Sequence, residues 1–446
     1  MQLEPEWSRT AGGALTAEVP DGKLRSHEEM DGTMPTNRNE GVVAQGRATW
    51  MEPTKGLAIL LVVGYHSTLY LQAEGMDVVL GRAKAAFELF PMPAFFLIAG
   101  MFAARQKAFT LRALWRRRLL QLVYLYVVWS IIRALFYLTI PGLNGELGEL
   151  SATDPRAVLL LLVWPSSSYW FLWALCLFTL VYWGVARAPA WAQLAGSGVV
   201  SVLFSARWVE VPNLGWNRVG ALFFFFVLGA VASGRIRAAV ARAEPVHLVL
   251  ATAGFLLVSA LIALGWRWVP PVVLAGQLLA VAAGVQLCRL LIRFRVFGFL
   301  SRVGTDSLRL YLLHLYVIVP AAALLGSLEL DLPRGAVLGV QLGLTAVTVL
   351  AAGLLGRLTG RARWLYLPPA FLRNSRLGGA DAPSSRRAPA TTAGEENSLR
   401  LQFPRVLPSS SGAVPGAGRE VVTDGVDGAG SPAATRAAHP IERSPM

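Results

Sequence analysis

Between residues 55 and 355 the chain is a succession of ten apolar runs, most of them close to or beyond the length a helix needs to cross a bilayer. The first begins at Lys55 and ends near Leu71. The others cover about Glu88–Ala104, Leu119–Ile140, Tyr169–Ala186, Ala190–Trp208, Val219–Ser233, Val246–Trp266, Val269–Leu291, Ser307–Leu325 and Ala336–Leu355. A further stretch, Ala157–Val163, is too short to span and runs into Trp164-Pro165, so it reads as interfacial or re-entrant. Composition agrees: 54% of the residues are hydrophobic and 15% charged, where a soluble domain carries about a quarter charged. The fold class is an all-α, polytopic membrane bundle of about ten helices. No internal repeat is legible.

The formal charge of +14 is therefore read by position, as orientation, and not as a nucleic-acid footprint. Arg105, Lys107, Arg112, Arg116, Arg117 and Arg118 fill the second connection, Arg235, Arg237 and Arg242 follow the sixth run, Arg289, Arg293, Arg295 and Arg302 the eighth, and Arg357, Arg361 and Arg363 the tenth. The alternate connections hold Glu74, Asp77, Glu146, Glu149, Asp154, Glu210, Glu329 and Asp331. The positive-inside rule puts the arginine-rich connections and both termini in the cytoplasm of a multi-pass protein of the cell membrane. Trp164, Tyr169, Trp170 and Trp173 would then contribute to the outer aromatic belt.

Residues 1–46 are polar, with no signal-peptide core, and are expected to be disordered, as is a Ser/Ala/Gly/Pro-rich tail over 370–446. The working domain is 47–369, and its first run acts as its own insertion signal. Cys176 and Cys288 sit inside apolar runs at a spacing that fits no zinc site, so they read as small hydrophobes and no metal is expected.

Within the first run, eleven residues separate Lys55 from His66. At about 100° per residue that is three turns plus about 20°, so the two share a face, about 16 Å apart along the axis. Lys55 falls at the water boundary and His66 near mid-depth. An ionisable group there is costly and points to function, although a histidine merely satisfied by a neighbouring helix accounts for it equally. A neutral imidazole can take a proton from a hydroxyl, and Tyr65, Ser67 and Thr68 stand ready to orient it. His314 lies eight residues beyond Asp306, about 12 Å into the ninth run, and could approach the level of His66 or serve only in packing. Arg133 could face a polar interior or, the more usual outcome, snorkel to the outer interface. Arg116-Arg117-Arg118 reads either as topology or as a phosphate clamp.

These residues fall into a known order. Arg47-x-x-Trp50-x-Glu52-x-x-Lys55-Gly56 followed by an aliphatic run to Gly64-x-His66 resembles the first helix of the acyltransferase-3 family of membrane acyltransferases. Met92-Pro93-x-Phe95-Phe96-Leu-Ile-Ala-Gly100 resembles its second helix, Arg118-Leu-Leu the entrance to its third, Trp170-Phe171-Leu-Trp173 its fourth and Ser307-Leu308-x-x-Tyr311-Leu-Leu-His314 its ninth. The chain departs from the family pattern in having Glu52 for an Asp, Lys55 for the frequent Arg, Ala99 for a small hydroxyl residue, and Leu122 for a proline.

The resemblance implies transfer of an acyl group, usually acetyl and sometimes succinyl, from cytoplasmic acyl-CoA to a hydroxyl. The acceptor would be a cell-envelope glycan or a glycosylated small molecule. On that implication His66 is catalytic, as base or as acyl carrier, while Arg47, Glu52, Lys55, Arg116, Arg117, Arg118 and His314 bind substrate, the cations holding the CoA phosphates. Two other readings compete: a transporter or flippase for a glycan or lipid, and a non-catalytic member of the fold.

Overall fold

The structure, a computed structural model, describes residues 50–78, 84–140, 154, 156, 159–165 and 168–374. The segment 1–46, Arg47, the Glu146–Glu149 stretch and residues 375–446 lie outside the described residues. Those described form helices and turns, with no strand among them.

Every expected run is helical. In chain order the elements are α1 (Met51–Ala73), α2 (Phe87–Ala108), α3 (Leu111–Thr139), α4 (Trp170–Val185), α5 (Ala190–Ser205), α6 (Leu214–Arg242), α7 (Pro245–Ala263), α8 (Val272–Leu291), α9 (Gly298–Thr305), α10 (Ser307–Ser327) and α11 (Arg334–Arg361). Eight of these are long and apolar enough to cross a membrane. Helices α4 and α5 are shorter, with 16 residues each, and α9 is an eight-residue connector. A short helix, Ala370–Asn374, follows α11.

Boundaries differ from the hydropathy reading where caps decide them. Helix α6 starts at Leu214, before the first apolar residue of its run, because Asn213 caps it: Trp216 N donates to Asn213 Oδ1 at 2.8 Å. Asn217 closes a second clasp, giving a hydrogen bond to Val211 O at 2.7 Å and receiving one from Val211 N at 2.8 Å. At the other end the helix passes a kink at Ala232 (φ −106°, ψ 15°) and continues to Arg242. There Arg289 of α8 donates to the carbonyls of Val240 (2.6 Å) and Ala243 (2.7 Å), placing a cation on the negative end of the helix.

Two crossings are made backbone to backbone. A Cβ on Gly56 would collide with the Leu300 carbonyl and one on Gly304 with the Glu52 carbonyl, so α9 lies directly against the first turns of α1. In the same way Gly100 of α2 meets the Phe226 carbonyl and Gly229 of α6 meets the Leu97 carbonyl. Small residues at such points let membrane helices approach and gain dispersion contact, which is their main source of cohesion in lipid. This gives Gly56 and Gly100, both part of the sequence pattern, a physical reason.

Aromatic packing fills the middle: Phe96, Trp170, Phe178 and Phe226 form one cluster, and Tyr126, Trp129, Tyr169 and Leu312 another. Tyr169 and Trp170, 1% and 5% exposed, are therefore core residues and not part of an outer belt. Outward faces are apolar instead, as with Leu250 and Leu257 of α7 and Leu350 and Leu354 of α11, the arrangement that a lipid surround favours.

The short stretch 159–165 is a tight turn whose carbonyls are held from three helices. Leu161 O accepts from Tyr126 (2.8 Å), Leu162 O from Trp173 (2.9 Å) and Val163 O from Trp216 (3.0 Å). A second strap follows α11, where Tyr124 and Trp129 of α3 donate to the carbonyls of Trp364 (2.6 Å) and Leu365 (2.9 Å).

Candidate active site

His66 sits on α1 with Nδ1 2.9 Å from the carbonyl of Val62, one turn back on its own helix. A carbonyl can only accept, so Nδ1 carries the proton and Nε2 keeps its lone pair. His314 on α10 repeats the arrangement: its Nδ1 lies 2.7 Å from Tyr311 O and 3.2 Å from Leu310 O. The two rings are 4.9 Å apart between centroids. His314 is fully buried, and its Nε2 has no hydrogen-bond partner among the described residues. His66 keeps partial exposure. The centre thus holds two adjacent imidazoles, each with its donor nitrogen committed and its acceptor nitrogen available. Tyr65 packs edge-on to His66 at 5.5 Å and Tyr311 stacks on His314 at 6.1 Å, with the Tyr311 hydroxyl donating to Ser168 O at 2.8 Å.

Two guanidiniums lie among the interior aromatic side chains. Arg133 is 6% exposed, so it does not snorkel. It lies over the Tyr137 ring at 5.8 Å and interacts electrostatically with Tyr70, Tyr169 and Tyr316. The Tyr169 hydroxyl reaches Leu312 O at 2.9 Å and Tyr316 Oη at 3.1 Å. Arg218, on the second turn of α6, lies over the Trp170 ring at 5.4 Å, and its charge acts on His66, Tyr65, Tyr311 and Glu88. The apolar-run reading began this helix at Val219 and so passed over Arg218. The signal that finds it is Asn213, an N-cap that puts Arg218 one turn inside the helix.

At the opposite end of α1, Lys55 Nζ pairs with Glu52 Oε1 at 2.9 Å, and Glu52 also accepts from Thr305 Oγ1 at 3.4 Å across the Gly56–Gly304 crossing. Lys55 is mostly covered, its side chain 14% exposed. Arg116, Arg117 and Arg118 occupy a π-helical turn, Trp115–Leu119, at the start of α3. Arg116 and Arg117 are exposed, with Arg117 over the Phe109 ring at 5.3 Å, while Arg118 is half-buried. Such π turns recur at functional sites. Of the residues singled out in the sequence, the fold brings His66 to His314 and Glu52 to Lys55; Arg47 lies outside the described residues. Among the described residues no three His, Cys, Asp or Glu side chains converge as a metal cluster would require.

A multi-pass helix bundle with ionisable side chains gathered in its interior is a membrane protein whose interior marks a candidate functional site. The particular family follows from comparison: a family model described as an acyltransferase domain matches residues 49–357, and the chain belongs to that acyltransferase-3 family. It is a membrane acyltransferase. The match takes in His66, Arg133, Arg218 and His314. No curated protein and no solved structure matches the chain.

Proposed function

We propose that this protein moves an acyl group, acetyl above all, from cytoplasmic acyl-CoA to a hydroxyl of a cell-envelope glycan or a glycosylated small molecule. The observation that carries the reading is the His66–His314 pair at 4.9 Å, both Nδ1 atoms anchored and both Nε2 atoms free to accept. The acceptor hydroxyl gives its proton to His66 Nε2 as its oxygen attacks the thioester carbonyl. His314 Nε2 accepts a hydrogen bond from the same substrate and fixes its approach. The expelled CoA thiolate takes the proton back from His66.

CoA enters at the Lys55 end, about 16 Å from His66 along α1. Lys55, held by Glu52, and the arginines of the π turn meet its phosphates there, and the pantetheine arm follows the helix face inward. The sequence resemblance adds Arg47, outside the described residues, to the donor-binding set. On this reading the Lys55 end faces the cytoplasm of a cell-membrane protein, residues 47–369 do the chemistry, and 1–46 and 370–446 are cytoplasmic appendages.

The test is acyl-CoA turnover by the purified protein, with mass spectrometry of envelope glycans from a deletion strain to identify the acceptor. His66→Gln is expected to lower kcat by about 10²-fold or more with donor KM largely kept. A correctly inserted His66→Gln protein that transfers at the parental rate would overturn the assignment, and parental protein that consumes no acyl-CoA would favour transport.

A further inference from the structure

We propose that Tyr311 is a positioning residue, whose ring and hydroxyl hold the His314 imidazole beside His66 and tie it to the turn that opens α4. The inference rests on the acyl-transfer reading above, in which His314 Nε2 guides the approach of the acceptor. It begins from what the helix backbone leaves undone. His314 Nδ1 lies 2.7 Å from Tyr311 O and 3.2 Å from Leu310 O, so both contacts fall on one edge of the ring. An imidazole held by one edge can still pivot about that contact. A pivoting group is poorly preorganised, and a misplacement of about 1 Å can cost about 10²-fold in rate. A contact on the face of the ring is needed to stop the pivot.

Tyr311 supplies it. Its ring stacks on His314 with 29° between the planes and 6.1 Å between the centroids, while the His66 ring stands 4.9 Å from His314. Tyr311 is 6% exposed and is itself held. Tyr169 and Phe171 meet it edge-on, at 6.0 Å and 5.6 Å and with interplanar angles of 78° and 72°, the T-shaped geometry that aromatic pairs favour. Its hydroxyl donates to Ser168 O at 2.8 Å. All three supports come from the short stretch Ser168–Phe171, so the start of α4 reaches His314 through one side chain.

The tie is reciprocal. Tyr311 donates to the carbonyl of Ser168, and Tyr169 donates back to the carbonyl of Leu312 at 2.9 Å. Two bonds of opposite direction, between adjacent residues on each side, fix α10 and the turn in register: a slip of one residue breaks both. Phenylalanine would fill the same space at either position. A buried hydroxyl is costly unless it is bonded, and once bonded it adds a direction that apolar packing lacks. A fully satisfied buried network of this kind rigidifies what it joins. The Tyr311 hydroxyl is committed to Ser168, so Tyr311 acts through His314 and not on the substrate.

The experiment compares Tyr311→Phe, Tyr311→Leu, His314→Gln and the Tyr311→Leu/His314→Gln double variant as purified full-length protein. Acetyl-CoA is the donor, and envelope polysaccharide of the source strain, freed of esters with mild alkali, is the acceptor. Tyr311→Phe keeps the ring and loses the Ser168 bond, and is expected to lower kcat about 3–10-fold, the worth of one hydrogen bond. Tyr311→Leu loses both supports and is expected to lower kcat by about 10²-fold with donor KM close to parental. In the His314→Gln background the same change should cost less than about twofold more, because an absent ring needs no positioning; a merely structural tyrosine would cost the same factor in both backgrounds. Parental kcat in Tyr311→Phe, multiplicative losses in the double variant, or a change confined to donor KM would each overturn the assignment. If Tyr311→Leu does not accumulate in the membrane, Tyr311→Phe and its double variant with His314→Gln decide by the same rule. A His314→Gln protein at the parental rate overturns the inference and leaves His66 in place. If the parental protein transfers no acyl group, the acyl-transfer reading falls and the inference with it; if His314→Gln is slow while both Tyr311 variants keep the parental rate, that reading stands and Tyr311 is not part of it.

Discussion

Gly56→Ala puts the α1–α9 crossing under direct test. The nearest atoms to a new Cβ are the Leu300 carbonyl and, at 3.2 Å, the backbone nitrogen of Gly304. Backbone cannot swing aside as a side-chain tip can, so the two helices must separate. Overpacking of this kind costs about 1–3 kcal/mol. For a chain of this size each kcal/mol moves an apparent Tm by about 2–4 °C, which gives an expected fall of about 2–12 °C. Gly304→Ala should cost a similar amount. The double variant should cost less than the sum, with coupling of about 0.5 kcal/mol or more, because the separation that admits one methyl admits the other. The molecule supplies its own control. Gly339 and Gly343 on α11 have nothing within 4 Å of an added Cβ, so alanine there gains helix propensity of about 0.5–1 kcal/mol and should raise the apparent Tm. Thermal unfolding of the detergent-solubilised variants by circular dichroism reads all five proteins. If Gly56→Ala matches Gly343→Ala, or if the double variant is strictly additive, the backbone contact is not what holds α9 to α1.

Lys55→Ala is expected to raise the donor KM with kcat little changed, and Lys55→Arg to restore it, since arginine also pairs with Glu52 and with phosphate; equal effects of Ala and Arg in acyl-CoA saturation curves would remove Lys55 from the donor site. Orientation is checked by labelling single cysteines in a background lacking Cys176 and Cys288. Asp331→Cys, in an exposed turn after α10, should react with an impermeant maleimide added outside intact cells, and Arg295→Cys, exposed between α8 and α9, should react only after lysis. The opposite pattern would reverse the orientation and the cytoplasmic donor with it.

Much of the bundle was legible because lipid imposes one rule on every span: an apolar run of sufficient length becomes a helix. That rule located all ten runs and, by interruption, His66 and His314. It could not say that the two imidazoles meet, because packing between α1 and α10 is set by side-chain shape across distant parts of the chain. Nor could it see Arg218. Hydropathy ends a run at the first charge, whereas the helix obeys Asn213 and begins earlier. Arg133 was visible but its fate was not, since snorkelling and burial differ only in whether aromatic partners such as Tyr137 are waiting inside. Tyr169 and Trp170 misled for the same reason: an aromatic residue near a span end suits a headgroup belt and a core equally, and here the core took both.

The straps on α3 bear on the order in which the protein is made. Tyr124 and Trp129 wait for carbonyls that lie 240 and 236 residues further along, and His66 is synthesised long before His314. A nascent chain that has threaded only its first spans into the bilayer therefore carries one imidazole of the interior pair and unfilled donors on α3. Both gaps close late, when α10 packs beside α1 and the segment after α11 folds back onto α3. An interrupted or truncated product would present bare indole and imidazole groups to its surroundings.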